Sequence, residues 1–239
     1  MLIEGRNATK EALQSDTTVE KVMIAKGQID STLKFIVSLA KEQKIRVDYA
    51  DKIVLDKLSQ TGKHQGVIAF TTEFKYSDLD EILDSKKDNR LILILDGIED
   101  PHNLGSIIRV AECHGVDGIV IPKLRSASVN ETVIRTSAGA TQHMKIAKVT
   151  NINDTIRELK DKFFNVVGLD MDGVPLADYH LTGDLAMVIG NEGSGIKQLT
   201  AKLCDAMVSI PMFGKVSSLN ASVATGIALY ECRKQRGKS

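Results

Sequence analysis

The chain has 239 residues, 43% of them hydrophobic and 26% charged, which is enough apolar sequence for one large globular domain or two small ones and excludes disorder as the main state. The 31 basic and 31 acidic side chains give a formal charge of zero, so a polyanion must be bound by local patches of charge. The longest apolar runs are much shorter than the roughly 20 residues of a membrane span, so we expect a soluble protein that does not bind a membrane.

The first residues and the cysteines both indicate the cytoplasm. Arg6 and Lys10 lie near the N-terminus with no apolar segment after them, so no signal peptide is expected. Cys113, Cys204 and Cys232 are far apart and lack C-x-x-C spacing, which is typical of free thiols in a reducing compartment.

The first 72 residues alternate between strand-like and helix-like pieces. The predicted elements are strands over 19–25, 45–49 and 66–70 and helices over 31–44 and 51–58, capped by Ser31 and Asp51. This order predicts a compact βαβαβ domain over residues 1–72. The polar, charged segment 73–90 is predicted to be a linker that holds one short helix.

A second α/β domain is predicted over residues 91–239. Residues 91–95 form a continuous apolar run, which is typical of a parallel strand buried on both faces. Further strands are predicted over 118–121, 145–149, 165–169, 185–189 and 206–210, and helices over 103–114, 129–137, 153–162, 196–203 and 219–236. This alternation predicts a parallel sheet covered by helices on both faces.

Three loops at predicted strand ends carry polar residues that packing does not require. Ligands of open α/β sheets bind outside the carboxyl ends of the strands, so these loops are candidate sites. The first runs from Asp96 to Arg109. Either Asn103 begins a helix that faces an anion, with Arg109 near one of its oxygens, or Asn103 only caps the helix and Arg109 pairs with Glu112. Taken alone, the loop favours the second interpretation.

The second loop, residues 190–195, is Gly-Asn-Glu-Gly-Ser-Gly and joins an apolar strand to a helix. It matches neither the G-x-G-x-x-G fingerprint of dinucleotide-binding folds nor the P-loop. Its glycines permit a ligand to approach closely, and Glu192 would repel a phosphate. A ligand with hydroxyls, a base edge or positive charge fits better, although a turn with an exposed glutamate is the simpler alternative.

The third loop, residues 210–222, opens the last helix, which Ser217 or Ser218 is predicted to cap. Small residues along this helix predict that another backbone packs against it, from the same chain or from a partner subunit. Capping and packing account for the serines but not for Asn220.

Other chemistry lacks support in the sequence. The five histidines are never two to four residues apart, so no metal site is predicted. No G-x-S-x-G elbow supports serine hydrolysis, and the missing glycine fingerprint makes a nucleotide-dependent dehydrogenase a distant alternative.

Taken together, residues 103–109, 189–195 and 210–224 resemble, in order and spacing, the three motifs of the SpoU (TrmH) branch of the SPOUT RNA 2′-O-ribose methyltransferases. The segments 3–8 (Ile-Glu-Gly-Arg-Asn-Ala) and 64–68 (His-Gln-Gly-Val-Ile) are similar to the small substrate-binding domain of the bacterial 23S rRNA guanosine methyltransferases in that family. The resemblance therefore covers nearly the whole chain.

The resemblance implies a C-terminal SPOUT-type parallel sheet threaded into a trefoil knot and a small N-terminal domain like the L30e/L7Ae RNA-binding fold. It also implies S-adenosylmethionine as methyl donor, no metal, and a homodimer formed through the C-terminal domain. An RNA-binding N-terminal domain would explain how a neutral chain binds RNA.

The resemblance further implies the residues of the site. The residues around the ribose hydroxyl would be Arg109, Asn103, Glu192, Ser218 and Asn220. The residues that hold the methyl donor, largely through main-chain groups, would be Gly190, Gly195, Ile210, Met212 and Leu219.

Methylation of a ribose 2′-OH requires that the hydroxyl is positioned and that its proton is removed. A guanidinium, with a pKa above about 12, is a poor base unless its surroundings lower that value. Arg109 is therefore a base, a ligand of a substrate phosphate, or a stabiliser of the developing alkoxide. Glu192 either orients Arg109 or binds substrate.

Our leading hypothesis is an RNA 2′-O-methyltransferase that modifies a guanosine in 23S rRNA. The N-terminal domain disfavours the alternative of a tRNA methyltransferase with the same chemistry. The presence of every expected polar residue disfavours a non-catalytic RNA-binding or ribosome-assembly protein. Aromatic residues make up 4% of the chain, so base stacking is expected to contribute little.

Overall fold

The structure, a computed structural model, describes residues 2–15, 17–27, 30–72, 74–84, 88–215 and 218–237. The chain folds as two compact units. The first comprises Met1–Lys75 with Ser128–Glu131, and the second comprises Tyr76–Ala127 with Thr132–Ser239.

The first unit, in its described residues, is built on a four-stranded mixed sheet. Its elements are β1 (Leu2–Glu4), α1 (Arg6–Gln14), β2 (Thr18–Ala25), α2 (Ser31–Glu42), β3 (Arg46–Ala50), α3 (Lys52–Leu58) and β4 (Val67–Thr72). The strand order is β1-β4-β2-β3, where β4 is antiparallel to both neighbours and β2 is parallel to β3. The predicted elements from β2 to β4 are confirmed. The sequence analysis did not predict β1 and α1. Their signals are weak, because β1 has three residues and α1 buries only Thr9, Ala12 and Leu13.

The helix starts of this unit differ slightly from prediction. Asp30, and not Ser31, caps α2, because its carboxylate accepts a hydrogen bond from the Leu33 N–H at 3.0 Å. Asp51 precedes α3 as predicted, without a capping hydrogen bond from its side chain.

The second unit contains a six-stranded sheet in its described residues. Its elements are α4 (Leu79–Leu83), β5 (Leu91–Asp96), α5 (Pro101–Cys113), β6 (Gly118–Pro122), α6 (Glu131–Thr136), β7 (Ile146–Val149), α7 (Ile152–Asp161), β8 (Asn165–Pro175), β9 (Leu185–Gly190), α8 (Gln198–Leu203), β10 (Ala206–Ser209) and α9 (Ala221–Arg236). The strand order is β10-β8-β9-β5-β6-β7, and every neighbouring pair is parallel.

The core of this unit lies around β5 and β9 at the centre of the sheet. All six residues of each strand are buried. Since successive side chains of a strand point to opposite faces, burial of every residue requires cover on both faces. The predicted parallel sheet with two covered faces is therefore confirmed.

Much of the segment 73–90 packs with the second unit. Ser77 forms a parallel bridge with Ala147 beside β7, and Ile82 and Leu83 of α4 are buried in the core. The side chain of Ile82 occupies the space beside Gly118, where an added Cβ would lie 2.5 Å from Ile82 Cγ2. The division into a substrate-binding domain (1–72), a linker (73–90) and a catalytic domain (91–239) stays a prediction.

Among the described residues, no helix has both the length and the apolar character to cross a bilayer. The trefoil knot that the resemblance implies also stays a prediction.

Candidate active site

The first two polar loops meet at the carboxyl ends of β5 and β9, which are neighbours in the sheet. Asn191, directly after β9, donates a hydrogen bond from Nδ2 to the Gly97 carbonyl at 2.7 Å. The buried carboxylate of Asp96 pairs with Lys197 Nζ and accepts from the Lys197 N–H at 3.2 Å. These contacts fix both ends of the second loop to the end of β5.

The second loop closes on itself and requires a glycine at its first position. Asn191 and Gly195 exchange two backbone hydrogen bonds, at 3.0 and 2.8 Å. A Cβ on Gly190 would lie 2.2 Å from the carbonyl carbon of Gly195, so no other residue fits without displacing the loop. Loop closure thus explains the glycine at 190, while Gly195 has a φ of 64°, a left-handed conformation that favours glycine; both residues line a cavity as well.

Three of the predicted catalytic residues form one hydrogen-bonded group, which we call the amide–carboxylate cluster: Asn103, Glu192 and Asn220. Glu192 Oε1 accepts hydrogen bonds from Asn103 Nδ2 at 2.8 Å, from Asn220 Nδ2 at 2.5 Å and from the Ala221 N–H at 3.2 Å. Asn220 Nδ2 also donates to Asn103 Oδ1 at 2.9 Å. Each of the three loops contributes one member to this cluster.

Asn103 does not cap α5, and the prediction that it does is wrong. The helix begins at Pro101, and the Asp100 carboxylate caps it by accepting from the His102 N–H at 3.0 Å. Asp is a favoured N-cap residue and Pro a favoured first residue of a helix, so the pair Asp100–Pro101 starts α5 before Asn103. Asn103 therefore lies inside the first turn, only 8% exposed, with its amide free of capping and directed at Glu192.

Asn220 is the N-cap of α9. Its Oδ1 accepts from the backbone N–H groups of Ser222 at 3.0 Å and Val223 at 3.4 Å. The prediction that Ser218 caps this helix is wrong, and Ser217 lies outside the described residues. One amide therefore fixes the helix start through Oδ1 and holds Glu192 through Nδ2.

One neighbour of the small residues of α9 lies in the same chain, and a partner subunit as a second neighbour stays a prediction. Helix α5 packs on α9, and a Cβ on Gly226 would lie 3.6 Å from Val110 Cγ1. Thr225 and Ala228 are fully buried.

A cavity of about 380 Å³ opens beside the cluster. Seven predicted site residues line it: Glu192, Ser218, Gly190, Gly195, Ile210, Met212 and Leu219. Leu169, Asp170 and Met171, in the middle of β8, also line it, and sequence reasoning missed them. The signal was present, because Asp170 directly follows the predicted strand 165–169 at its carboxyl end.

Arg109 stands apart from this cavity. It is exposed on α5 and, among the described residues, forms no hydrogen bond or ion pair, so neither a pair with Glu112 nor a contact with Glu192 is present. Its role at the ribose hydroxyl stays a prediction.

Comparison with known proteins gives the same family over both units. Residues 90–230 match the SpoU rRNA Methylase family, and residues 2–77 match the family described as RNA 2′-O ribose methyltransferase substrate binding. A protein of Staphylococcus haemolyticus assigned to the TrmH family of tRNA/rRNA methyltransferases is 43% identical over 242 residues, which covers 99% of this chain and 96% of that protein.

Solved structures of RNA methyltransferases are also similar to this chain. The SpoU methyltransferase AviRb of Streptomyces viridochromogenes, in complex with AdoMet, aligns with a TM-score of 0.66 and 25% identity and covers 100% of this chain and 91% of that chain. The TrmH/SpoU tRNA modifying enzyme of A. aeolicus aligns with a TM-score of 0.59 and 30% identity and covers 66% of this chain and 80% of that chain.

The cavity fits S-adenosylmethionine, the AdoMet of the AviRb complex. Its volume lies within the range of small-molecule sites. Its lining combines the apolar side chains of Ile210 and Leu219 with the carboxylate of Asp170, which suits a ligand that has a purine ring and positively charged sulfonium and amino groups. Among the described residues, no group of three or more His, Cys, Asp or Glu side chains could hold a metal ion.

The fold, the cavity and the sequence matches thus agree with the implied family over nearly the whole chain. The family match extends over more than half of the residues, and the S. haemolyticus relative over nearly all of them. The chain belongs to the SpoU/TrmH family of S-adenosylmethionine-dependent RNA methyltransferases, whose activity is 2′-O-ribose methylation.

Proposed function

We propose that this chain methylates the ribose 2′-OH of a guanosine in 23S rRNA. The observation that carries the proposal is the N-terminal match over residues 2–77, whose segments 3–8 and 64–68 are similar to the bacterial 23S rRNA guanosine methyltransferases. The alignment with the A. aeolicus tRNA modifying enzyme covers 66% of this chain. The uncovered part is about a third of the chain, which is about the length of the N-terminal match over residues 2–77.

Bound S-adenosylmethionine would supply a methyl group made electrophilic by the sulfonium. The residues that would hold it are Gly190, Gly195, Ile210, Met212 and Leu219, which line the cavity. What the chain itself must do is position the hydroxyl and accept its proton.

We propose that Glu192 binds the ribose hydroxyl and accepts its proton. Its Oε1 is occupied by three N–H donors, whereas among the described residues Oε2 has no hydrogen-bond partner. A carboxylate with one oxygen fixed presents the other in a defined orientation, so Oε2 would accept the hydrogen of the 2′-OH. Ser218 lines the same cavity and would offer a second hydrogen bond to the ribose.

Asn103 and Asn220 are positioning residues in this account. Their amides hold the Glu192 carboxylate, and Asn220 also fixes the start of α9. Their contribution to the rate would therefore act through Glu192.

Arg109 would act on the substrate from the surface of α5. Since Glu192 is held by amides, Arg109 would hold an RNA phosphate or stabilise the alkoxide as the hydroxyl loses its proton.

We also propose a homodimer formed through the second unit. Val223, Ile227 and Tyr230 are exposed on α9 and, spaced by four and three residues, lie on one face of the helix. A second copy that covers this face would bury three large side chains. Arg109 directly precedes Val110, which packs on α9, so it neighbours the helix pair that would form this interface.

The cytoplasm is the proposed site of action. The three cysteines are free thiols, as expected in a reducing compartment, and the substrate is RNA.

The experiment that tests the substrate is transfer of a labelled methyl group from S-adenosylmethionine to protein-free 23S rRNA and, separately, to bulk tRNA. The proposal predicts label in 23S rRNA. Label in tRNA alone would contradict it and support the tRNA alternative, which the 30% identity to a tRNA modifying enzyme favours. Label in neither RNA would contradict activity on protein-free RNA and favour the non-catalytic alternative.

A further inference from the structure

The most exposed large apolar side chain among the described residues lies beside the catalytic cavity. Phe213 is 98% exposed and belongs to the third loop, between β10 and α9. Both arms of this loop line the cavity, through Ile210 and Met212 before the ring and through Ser218 and Leu219 after it. Phe213 is not itself part of the lining, so the proposed donor site gives it no role. A fully exposed ring between two arms that line the cavity lies at its opening.

Two methionines extend this apolar surface. Met212, next to Phe213, and Met171 of β8 are both exposed, and both line the cavity. We call Met171, Met212 and Phe213 the apolar rim. Large apolar side chains that are exposed around a cavity indicate a binding surface. Methionine side chains also adapt their shape to what they bind.

The charge of the lining indicates which part of an RNA faces this rim. Asp170 and Glu192 are the ionisable residues among the described residues of the lining, and both are acidic. Lys215, two residues beyond Phe213, is exposed and lies outside the lining. Two carboxylates repel a phosphate group, whereas a nucleobase is neutral and has a flat face that stacks on aromatic rings. The rim therefore suits a base better than the RNA backbone.

The proposed reaction brings a nucleotide to this opening. The 2′-OH must reach Glu192, which lines the same cavity as Met212, the residue before Phe213. The base is attached to the ribose carbon next to the one that carries the 2′-OH, so a nucleotide whose hydroxyl enters the cavity keeps its base near the opening. Proteins that recognise unpaired RNA bases commonly stack them on aromatic side chains.

We propose that Phe213 binds the base of the target nucleotide by stacking, with Met171 and Met212 packed at the edge of that base. Phe213 is then a positioning residue, which orients the nucleotide so that its hydroxyl faces Glu192. Stacking accepts every base, so this contact does not select guanosine. Because aromatic residues are only 4% of the chain, we expect stacking at this one place and not along an extended RNA surface. The inference rests on the proposed function for the reaction and for the identity of the RNA.

The test uses tryptophan as a reporter, since the chain contains none of its own. Phe213→Trp keeps an aromatic ring at the rim. The matched control is Phe163→Trp, because Phe163 is 92% exposed and precedes the amino end of β8, whereas the cavity lies farther along that strand, at residues 169–171. Both variants should melt like the wild type, since both rings are exposed. The fluorescence of each full-length variant is titrated with 23S rRNA and, separately, with bulk tRNA, in the absence of methyl donor.

Stacking on a base quenches the emission of tryptophan. We expect the RNA that the enzyme binds to quench Phe213→Trp strongly and to leave Phe163→Trp nearly unchanged. Equal quenching of the two variants would overturn the inference. An RNA that is retained with the protein on a filter but quenches neither variant would also overturn it, and would leave the proposed function intact. Quenching of Phe213→Trp by tRNA alone would support the inference while contradicting 23S rRNA as substrate.

Methyl transfer gives an independent readout. Loss of one base–aromatic stack weakens binding by about 5- to 150-fold, so Phe213→Ala should raise the KM for RNA by about that factor. Phe213→Tyr, which keeps the ring, and Phe163→Ala should both stay near the wild type. Weaker binding of S-adenosylmethionine by Phe213→Ala in calorimetric titration would show that the ring contacts the donor, and would overturn the inference. A changed oligomeric state of Phe213→Ala in sedimentation would show that a second copy covers the ring, with the same consequence.

Discussion

Two substitutions at Glu192 separate its structural role from its chemical one. Glu192→Ala removes the acceptor of three hydrogen bonds. Glu192→Gln keeps a carbonyl oxygen, which the three N–H donors would orient as they orient Oε1. The amide NH₂ then takes the place of Oε2, so the group facing the cavity donates a hydrogen bond and can no longer accept a proton.

The expected magnitudes follow from the burial of Asn103, which is 8% exposed. A buried amide that loses its acceptor costs about 1–3 kcal/mol of unfolding free energy. For a unit of this size that corresponds to a fall in melting temperature of roughly 2–12 °C for Glu192→Ala. Glu192→Gln should melt close to the wild type. Its rate of methyl transfer should nevertheless fall on the order of 10²–10⁴-fold, the range of a general acid–base contribution.

Differential scanning calorimetry measures the first effect, and initial rates of labelled methyl transfer at saturating donor measure the second. If Glu192→Ala melts like the wild type, the amide–carboxylate cluster does not stabilise the fold. If Glu192→Gln retains the wild-type rate, Oε2 is not the group that accepts the hydroxyl proton, and the assignment of Glu192 is wrong.

Three further outcomes are expected. Gly190→Ala should abolish binding of S-adenosylmethionine in calorimetric titration, because the new Cβ would overlap the backbone of Gly195. Gly193→Ala should fold normally, since the atom nearest to its Cβ is 3.6 Å away, and equal melting temperatures for the two variants would refute the loop geometry. Hydrogen bonds from the hydroxyls of Ser59 and Thr61 lower the pKa of Glu4 to about 2. Their stabilisation is therefore present above pH 4.5 and is lost as the pH falls towards 2, so Glu4→Gln should flatten the acid limb of a stability profile in that range. Iodoacetamide at pH 8 should label the exposed Cys113 rapidly and Cys232 only on unfolding, since burial raises the pKa of Cys232 to about 11. Detection of label on Cys232 of the native protein by mass spectrometry would contradict the packing of α9.

The sheet and the position of the site follow from local sequence signals. The apolar strands β5 and β9 predict a buried parallel sheet because neither has a polar face, and their ends predict where the polar loops meet. The helix starts were harder to predict, since Asp100, Asn103, Ser218 and Asn220 are all competent caps and their choice depends on the path of the loop before each helix.

The hydrogen bonds of the site could not be predicted from sequence. Asn103 and Glu192 are 89 residues apart, and Asn103 and Asn220 are 117 apart, so no local pattern encodes their contact. The extension of β8 to Pro175 was missed for a similar reason. Gly173 packs against the backbone of Met207 and Val208 of β10, and that close approach depends on a strand distant in sequence.

The central claim is that this chain methylates a ribose hydroxyl, and the most direct measurement is transfer of labelled methyl to protein-free 23S rRNA, with the labelled nucleotide mapped. The same RNA is then prepared with a 2′-deoxyguanosine at the mapped position. The account predicts label at a guanosine in the natural RNA, and none in the deoxy RNA or with the Arg109→Ala enzyme. Label that persists in the deoxy RNA would show that the methyl group is transferred elsewhere than to the 2′-OH, and would contradict the account.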